Sequence, residues 1–207
     1  GAGRMSDAQF ETALTAREVP TGLTVEIREM TTRGMIDLRG LPDDAAFMAA
    51  VKQALNLDLP TAPRTSAAWG EVQALWLSPD QWLILCPRAK TEELLAALRQ
   101  ALAGIHSLAV DVSDMRCIIR LEGDQARSLL LKGSSLDLLS PDYDAGTARR
   151  LRFAEIAALL HIVSTKPDVI DLYVFRSYAD YAWDWLIANG RTIADVRQFG
   201  KQAVPTV

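Results

Sequence analysis

The sequence predicts an α+β protein with two similar small, mainly antiparallel sheets and helices packed on them. Several predicted strands follow one another directly, whereas doubly wound folds alternate strand and helix singly. A strand–strand–helix–strand unit near residues 72–112 has a counterpart near residues 116–190. The chain has 207 residues, 49% of them hydrophobic, and at this length a core forms without disulfides or metals.

The first predicted elements are a pair of strands, a helix and a loop. Thr24–Glu29 alternates apolar and polar residues, and Met35–Arg39 is its predicted partner strand. Asp43 and Asp44 favour the start of a helix, because acidic side chains stabilise the positive end of its dipole. The buried stripe of that helix is predicted to comprise Phe47, Met48, Val51 and Leu55. The proline-containing segment Asn56–Ser66 is predicted to be a loop.

A hairpin, a helix and a further strand follow. Val72–Leu77 and Gln81–Cys86 are predicted strands on either side of Ser78-Pro79-Asp80, a strong turn signal. Trp76 and Trp82 flank this turn and are predicted to pack across the strands or in the core. Thr91 starts an amphipathic helix, and Leu108–Val112 returns as a strand.

The second half repeats this organisation. A strand over Arg116–Leu121 precedes a short helix around Ala126–Leu130, and residues 133–146 are rich in turn formers. Three more strands are predicted, namely Arg150–Phe153, Ile156–Val163 and Asp168–Phe175.

A final helix follows the last strand, with Ser177 placed to cap it. Its predicted buried face carries Tyr178, Tyr181, Ala182, Trp185 and Leu186, at the i, i+3, i+4, i+7 and i+8 positions. If this face is buried, Trp183 points away from the core, toward solvent or a partner.

The domain organisation predicted from these patterns is a single body with two tails. Residues 1–19 are predicted to form an N-terminal arm, in which Gly1–Arg4 before Met5 is an expression remnant. Residues 20–193 form one α+β body with similar halves, approximately 20–112 and 113–193. Residues 194–207 are predicted to be a C-terminal tail.

Composition excludes several function classes. The formal net charge is −4, which argues against a nucleic-acid partner because such proteins carry a basic surface. No apolar run is long enough to span a bilayer, and no signal peptide stands at the start, so we expect no membrane partner. Cys86 and Cys117 lie in apolar stretches and are predicted to be buried hydrophobes, which favours the reducing cytoplasm.

The common catalytic and nucleotide-binding motifs are missing from the sequence. It contains no G-x-G-x-x-G, G-x-x-x-x-G-K-[ST], G-x-S-x-G or H-E-x-x-H. His106 and His161 have no neighbouring acid or nucleophile motif, so both are interpreted as structural. We therefore expect no catalytic residue, no cofactor-binding residue and no metal ligand in this chain.

Two polar clusters leave a functional and a structural interpretation open. Arg150 and Arg152 share one face of a predicted strand. In the functional interpretation this face binds a carboxylate, a phosphate or an acidic partner. In the structural interpretation it is a solvated face that forms salt bridges with Asp142 or Asp144. A second cluster surrounds Ser113 and forms either a polar ligand pocket or a turn that bonds its own backbone. Its members are Asp111, Asp114 and Arg116.

Six segments occur in a fixed order along residues 20–190, namely Trp76–Leu83, Val112–Asp114, Ile119–Gly123, Arg150–Ala154, Val174–Tyr178 and Trp183–Leu186. Together they resemble sarcosine oxidase gamma subunits. The resemblance implies a fold similar to the folate-binding part of the aminomethyltransferase of the glycine cleavage system. It also implies a heterotetramer that oxidises sarcosine with oxygen to glycine, formaldehyde and hydrogen peroxide.

The resemblance further implies a division of labour. FAD, FMN, NAD and tetrahydrofolate are expected on the partner subunits, the flavins and NAD on alpha and beta, and zinc on delta. The gamma chain is expected to be non-catalytic and to stabilise the assembly. Candidate interface residues are Arg150, Arg152, Arg176 and Trp183. The alternative is a stand-alone folate-binding or aminomethyltransferase-like protein that uses the pocket at Asp111, Asp114 and Arg116.

Overall fold

A computed structural model describes residues 11–191 of the chain, which form ten strands and four α-helices in that range. The strands are β1 (Glu26–Glu29), β2 (Arg33–Arg39), β3 (Ser66–Trp69), β4 (Val72–Ser78), β5 (Gln81–Pro87), β6 (Leu108–Asp111), β7 (Arg116–Glu122), β8 (Ala148–Phe153), β9 (Ile156–Thr165) and β10 (Asp168–Phe175). The helices are α1 (Ala45–Leu55), α2 (Thr91–Ala101), α3 (Ala126–Leu131) and α4 (Ala179–Arg191). The α+β prediction is confirmed.

The strands form two five-stranded sheets. The first sheet has the order β3-β4-β5-β2-β6, and the second has the order β1-β7-β10-β9-β8. Every pairing within them is antiparallel. The sequence β2, α1, β3, β4, β5, α2, β6 recurs as β7, α3, β8, β9, β10, α4. The two units therefore match element by element, with one difference. The edge strand of the first sheet is β6, whereas the corresponding edge strand of the second sheet is β1.

The predicted pairing of the first two strands is wrong. β1 pairs with β7, whereas β2 pairs with β5 and β6. Between them the Met30 N–H donates to the Ile118 carbonyl, so the chain is still bound to the second sheet before it crosses to the first. Alternation of apolar residues predicts a strand but does not select its partner.

The two sheets pack face to face and each carries helices on its outer face. α1 and α2 cover the first sheet, and α3 and α4 cover the second. The layer between the sheets is a third apolar cluster, comprising Met35, Leu75, Leu77, Leu83 and Leu85 of the first sheet with Ile118, Ala148, Leu159 and Tyr173 of the second. This arrangement buries both faces of each sheet at its centre.

Strand β3 begins within the segment predicted to be a loop. Its sequence Ser66-Ala67-Ala68-Trp69 has weak strand propensity. It becomes a strand by pairing with β4, whose apolar residues already form a stable strand with β5. A pattern-based prediction misses it because the signal lies in the partner strand.

Helix α4 buries a different face from the one predicted. One 3-10 turn (Arg176–Tyr178) precedes it, and its buried residues are Ala179, Ala182, Trp183, Leu186 and Gly190. Trp183 is only 4% exposed, so its predicted outward orientation is wrong. Tyr178 and Tyr181 are instead 46% and 40% exposed. Three small residues on the buried face allow close approach to the sheet, and the tyrosine hydroxyls remain near water.

The described part of the predicted N-terminal arm is attached to the body. Leu14 is 4% exposed in the core of the second sheet, and Arg17 forms ion pairs with Asp180 and Asp184 of α4. Residues 1–10 and the predicted tail 194–207 lie outside the described residues.

Candidate functional site

The turn between β6 and β7 holds the residues of the predicted polar pocket. The Asp111 carboxylate accepts hydrogen bonds from the Ser113 backbone N–H at 2.9 Å and from its hydroxyl at 2.6 Å. The Met35 N–H of β2 donates to the same hydroxyl oxygen at 2.9 Å. Asp111 therefore organises the turn, while Asp114 and Arg116 extend into a cleft beside it.

This cleft is lined by four arginines from separate elements. Arg33 begins β2, Arg88 follows β5, Arg116 begins β7 and Arg176 follows β10. The acidic side chains on the lining are Glu29 and Asp114. We call these six residues the arginine cleft. It offers about 30 Å³ to water-sized groups.

Ion pairing neutralises little of this positive charge. Arg88 and Asp114 are 2.6 Å apart. Arg33 donates to the Glu71 carbonyl at 3.1 Å, and Arg176 donates to the Glu11 carbonyl at 2.9 Å. Within residues 11–191, Arg33, Arg116 and Arg176 form no ion pair with a carboxylate.

Arg116 is the most desolvated of these cations. Its guanidinium lies over the Phe175 ring, 4.5 Å from the ring centroid. Its Nε is buried and has no hydrogen-bond partner among the described residues. Burial lowers the pKa of Arg116, and the charge of Asp37 only partly opposes that effect. Within residues 11–191, the cleft thus contains a cation without an ion-pair partner and a donor without an acceptor.

A second polar group lies deeper, on the face of the second sheet that looks toward the first. Arg120 and Asp171 form a bidentate ion pair across β7 and β10, with N–O distances of 2.7 and 2.8 Å. Their side chains are 16% and 7% exposed. Hydrogen bonding to Asp171 raises the pKa of Arg120, so the pair stays charged.

His161 adjoins this pair but is not arranged for catalysis. Burial lowers its pKa to about 4, which makes the ring neutral at pH 7. Its Nε2 lies 3.1 Å from the Ser66 hydroxyl, which itself donates to the Gly146 carbonyl at 2.8 Å. Ser66 therefore accepts from Nε2–H, and the ring cannot take the serine proton at that nitrogen. The Ser66–His161 contact is not a nucleophile–base pair.

Three buried polar atoms have no hydrogen-bond partner among the described residues, and all lie on this inner face of the second sheet. They are Arg116 Nε, His161 Nδ1 and the Tyr173 hydroxyl. Burial raises the pKa of Tyr173, so its hydroxyl stays protonated. Buried polar atoms of this kind are normally satisfied by water or by a ligand.

The predicted interface residues occupy unrelated positions. Arg150 donates to the Leu77 carbonyl at 2.7 Å and so ties the second sheet to the first. Arg152 forms an exposed ion pair with Glu155. Neither arginine forms a salt bridge with Asp142 or Asp144, within the described part of the chain.

The structure brings three of the predicted site residues together in the arginine cleft, namely Asp114, Arg116 and Arg176. Arg33 and Arg88 were missed by sequence reasoning. Neither residue belongs to a motif. Arg33 begins β2 and pairs with Pro87 of β5, and Arg88 comes directly after Pro87, so both arginines lie at one end of the first sheet. Only the strand register could have revealed this neighbourhood.

Cys86 and Cys117 are free thiols and buried, as predicted. Burial raises the pKa of both thiols, so both are poor nucleophiles. Over residues 11–191, no three His, Cys, Asp or Glu side chains are grouped to bind a metal. In the same range no helix has the length and apolar character needed to cross a membrane.

Comparison with known families identifies the chain. The model of the sarcosine oxidase, gamma subunit family matches residues 39–191. The chain belongs to this family. A curated relative, the sarcosine oxidase subunit gamma of Corynebacterium sp. (strain U-96), is 30% identical over 187 residues, covering 89% of this chain and 88% of the relative.

Solved structures agree with this membership at the level of the fold. A chain of the heterotetrameric sarcosine oxidase from Corynebacterium sp. U-96, in complex with pyrrole 2-carboxylate, superimposes with a TM-score of 0.81 and 24% identity. The match covers 91% of this gamma-family chain and 98% of that chain. The resemblance predicted from the sequence is confirmed.

The predicted likeness to aminomethyltransferase is also confirmed for the fold. The glycine cleavage system aminomethyltransferase T from Bartonella henselae superimposes with a TM-score of 0.61 and 15% identity. The match covers 83% of this chain but only 47% of that enzyme. The gamma-family fold therefore corresponds to about half of an aminomethyltransferase.

Proposed function

We propose that this chain is the gamma subunit of a heterotetrameric sarcosine oxidase and stabilises that assembly without catalysing its reaction. The carrying observation is the superposition, with a TM-score of 0.81, on 98% of a chain from a heterotetrameric sarcosine oxidase. Its partners are then the alpha, beta and delta subunits. The assembly oxidises sarcosine to glycine, with oxygen as the acceptor.

An exposed apolar edge supports a role in assembly. β6 pairs only with β2 and so forms one edge of the first sheet. Leu108 and Val110 on this strand are 45% and 37% exposed, and nearby Leu41 is 57% exposed. Leu41 and Leu108 line one groove. Open strand edges and clustered exposed apolar side chains are typical of protein interfaces.

The chemistry of the chain supports a division of labour. FAD, FMN, NAD and tetrahydrofolate are placed on the partner subunits, and zinc on delta. Within residues 11–191 no three His, Cys, Asp or Glu side chains are grouped to bind a metal, which agrees with a zinc site on another subunit. The free thiols of Cys86 and Cys117 suit a reducing compartment, so we place the assembly in the cytoplasm.

Co-purification tests the proposal. The tagged full-length chain is expressed with its candidate partner subunits, purified gently, and assayed for subunit masses, flavin absorbance and sarcosine oxidation. We expect a flavoprotein in fixed ratio that oxidises sarcosine. Leu108→Asp should lower its yield severalfold, because a charge at the apolar edge must be desolvated on docking.

Leu139→Asp is the matched control, since Leu139 is 65% exposed and lies away from this edge. It should leave the yield unchanged. A chain that elutes alone and colourless would overturn the proposed function.

A further inference from the structure

The arginine cleft contains cationic groups that the described chain does not match with anions. Among the described residues that line it, four guanidinium groups face two carboxylates, although the whole chain has a formal net charge of −4. A local excess of positive charge in an acidic protein attracts an anion to that place.

Arg116 has one face of its guanidinium covered and one donor unsatisfied among the described residues. Phe175 covers one face of the guanidinium at 4.5 Å from the ring centroid, and this contact offsets part of the cost of burying a cation. The ring provides no acceptor in the guanidinium plane, where the N–H bonds point. Nε–H is left without a partner among the described residues, so an acceptor at the edge of the guanidinium would satisfy it.

The size of the cleft suits a small group with two acceptor oxygens. A single water needs roughly 10–15 Å³ by this measure of volume, so the 30 Å³ of the cleft accommodates about two water-sized groups. The two oxygens that a carboxylate presents to a guanidinium fit that space. The parallel N–H bonds of a guanidinium also match the geometry of a carboxylate.

We propose that the arginine cleft is a carboxylate-binding site, in which Arg116 donates hydrogen bonds to the carboxylate while Arg33 and Arg176 supply positive charge. The carboxylate comes either from an acidic side chain of a partner subunit or from a small free acid. Only the first source rests on the proposed function. Nothing in the cleft requires a covalent or redox step.

Acetate binding to the isolated full-length chain tests the site directly. Arginine Nε–H resonances are recorded for ¹⁵N-labelled protein during titration with sodium acetate, against sodium chloride at equal ionic strength. We expect a saturable shift of the Arg116 resonance with acetate only. Arg116→Lys retains the positive charge but loses the paired N–H donors of the guanidinium. The affinity for acetate, measured from the Nε–H resonances of Arg33 and Arg176, should therefore fall about tenfold.

Arg64→Gln is the matched control, because Arg64 is exposed and outside the cleft, and it should bind acetate as the wild type does. The absence of a saturable acetate shift in the wild type would overturn the proposal. An equal loss of affinity in Arg64→Gln and Arg116→Gln would also overturn it, because the effect would then be one of net charge.

An assembly experiment distinguishes the two sources. The chain is mixed with its partner subunits in acetate or chloride. If acetate weakens assembly of the wild type but not of Arg116→Gln, a partner carboxylate occupies the cleft. If the assembled protein still binds acetate, the site serves a free acid. Failure of assembly itself would count against the proposed function and leave the acetate result standing.

Discussion

At the scale of single residues, His161 shows most clearly how burial determines the protonation state of a side chain. The ring is 4% exposed and lies near one acid and two arginines, Asp171, Arg120 and Arg33. Desolvation is the largest cause of its lowered pKa. The negative charge of Asp171 raises the pKa, and the positive charges of the two arginines lower it further. The sequence prediction of a structural histidine is consistent with these surroundings.

This pKa predicts an acid-dependent loss of stability. The pKa of His161 is about 4 in the folded chain against its usual 6.5, so between these values the unfolded chain binds more protons. The free energy of unfolding should therefore fall as pH is lowered from about 6.5 toward 4, by up to about 3 kcal/mol from this group.

Urea denaturation of the wild type and of His161→Gln, at pH 7 and at pH 4.5, measures this contribution. We expect the variant to lose distinctly less stability over that interval than the wild type. His106→Gln removes an exposed histidine and is the matched control. Parallel curves for the wild type and His161→Gln would contradict the assignment.

At the scale of secondary-structure elements, β7 carries two arginines in opposite situations. Arg116 and Arg120 are four residues apart and point to the same face of the strand. Arg120 has a bidentate carboxylate partner, whereas Arg116 has none among the described residues. The same residue type is thus a stabilising ion-pair member at one position and, among the described residues, a charge without an ion-pair partner at the other.

Substitution by methionine should separate the two roles. Arg120→Met leaves Asp171 buried and unpaired, and should lower the free energy of unfolding by about 3–5 kcal/mol. Arg116→Met removes an unpaired, partly desolvated charge and should raise it by about 1 kcal/mol. Chemical denaturation of each variant measures both changes. A loss of stability in Arg116→Met similar to that in Arg120→Met would show that Arg116 has a partner in the chain.

The elements themselves were largely predictable, and so was the buried face of α1, whereas the buried face of α4 was not. The apolar spacing of α1 correctly identified Phe47, Val51 and Leu55 as buried. In α4 aromatic residues occur on several sides of the helix, so the spacing did not select one face. The small residues Ala179 and Ala182 decided it, because they allow the helix to pack closely on the sheet.

At the scale of the whole molecule, β1 binds the two units into one. The strand precedes the first unit in the sequence but forms the edge of the second sheet. Its Ile27 is 1% exposed within the core between that sheet and its helices. This position of β1 in the second sheet and the apolar layer between the sheets together predict that both sheets unfold in a single cooperative step.

Ile27→Ala tests this cooperativity by native-state hydrogen exchange. The substitution should lower the opening free energy of the most protected amides by about 2–4 kcal/mol. We expect the same decrease in β5 of the first sheet and in β10 of the second, because the loss is shared by the global unfolding reaction. A decrease confined to β10 would show that the two sheets unfold independently.

The sequence by itself determined the fold class, nearly every strand and helix, and the resemblance to the gamma subunit family. These follow from local periodicity and from ordered motifs, which are properties of neighbouring residues. The tertiary structure alone decided that β1 pairs with β7, that Trp183 is buried, and that Arg33, Arg88, Arg116 and Arg176 line one cleft. Strand register and the packing of the two sheets set these contacts, and both depend on residues far apart in the chain.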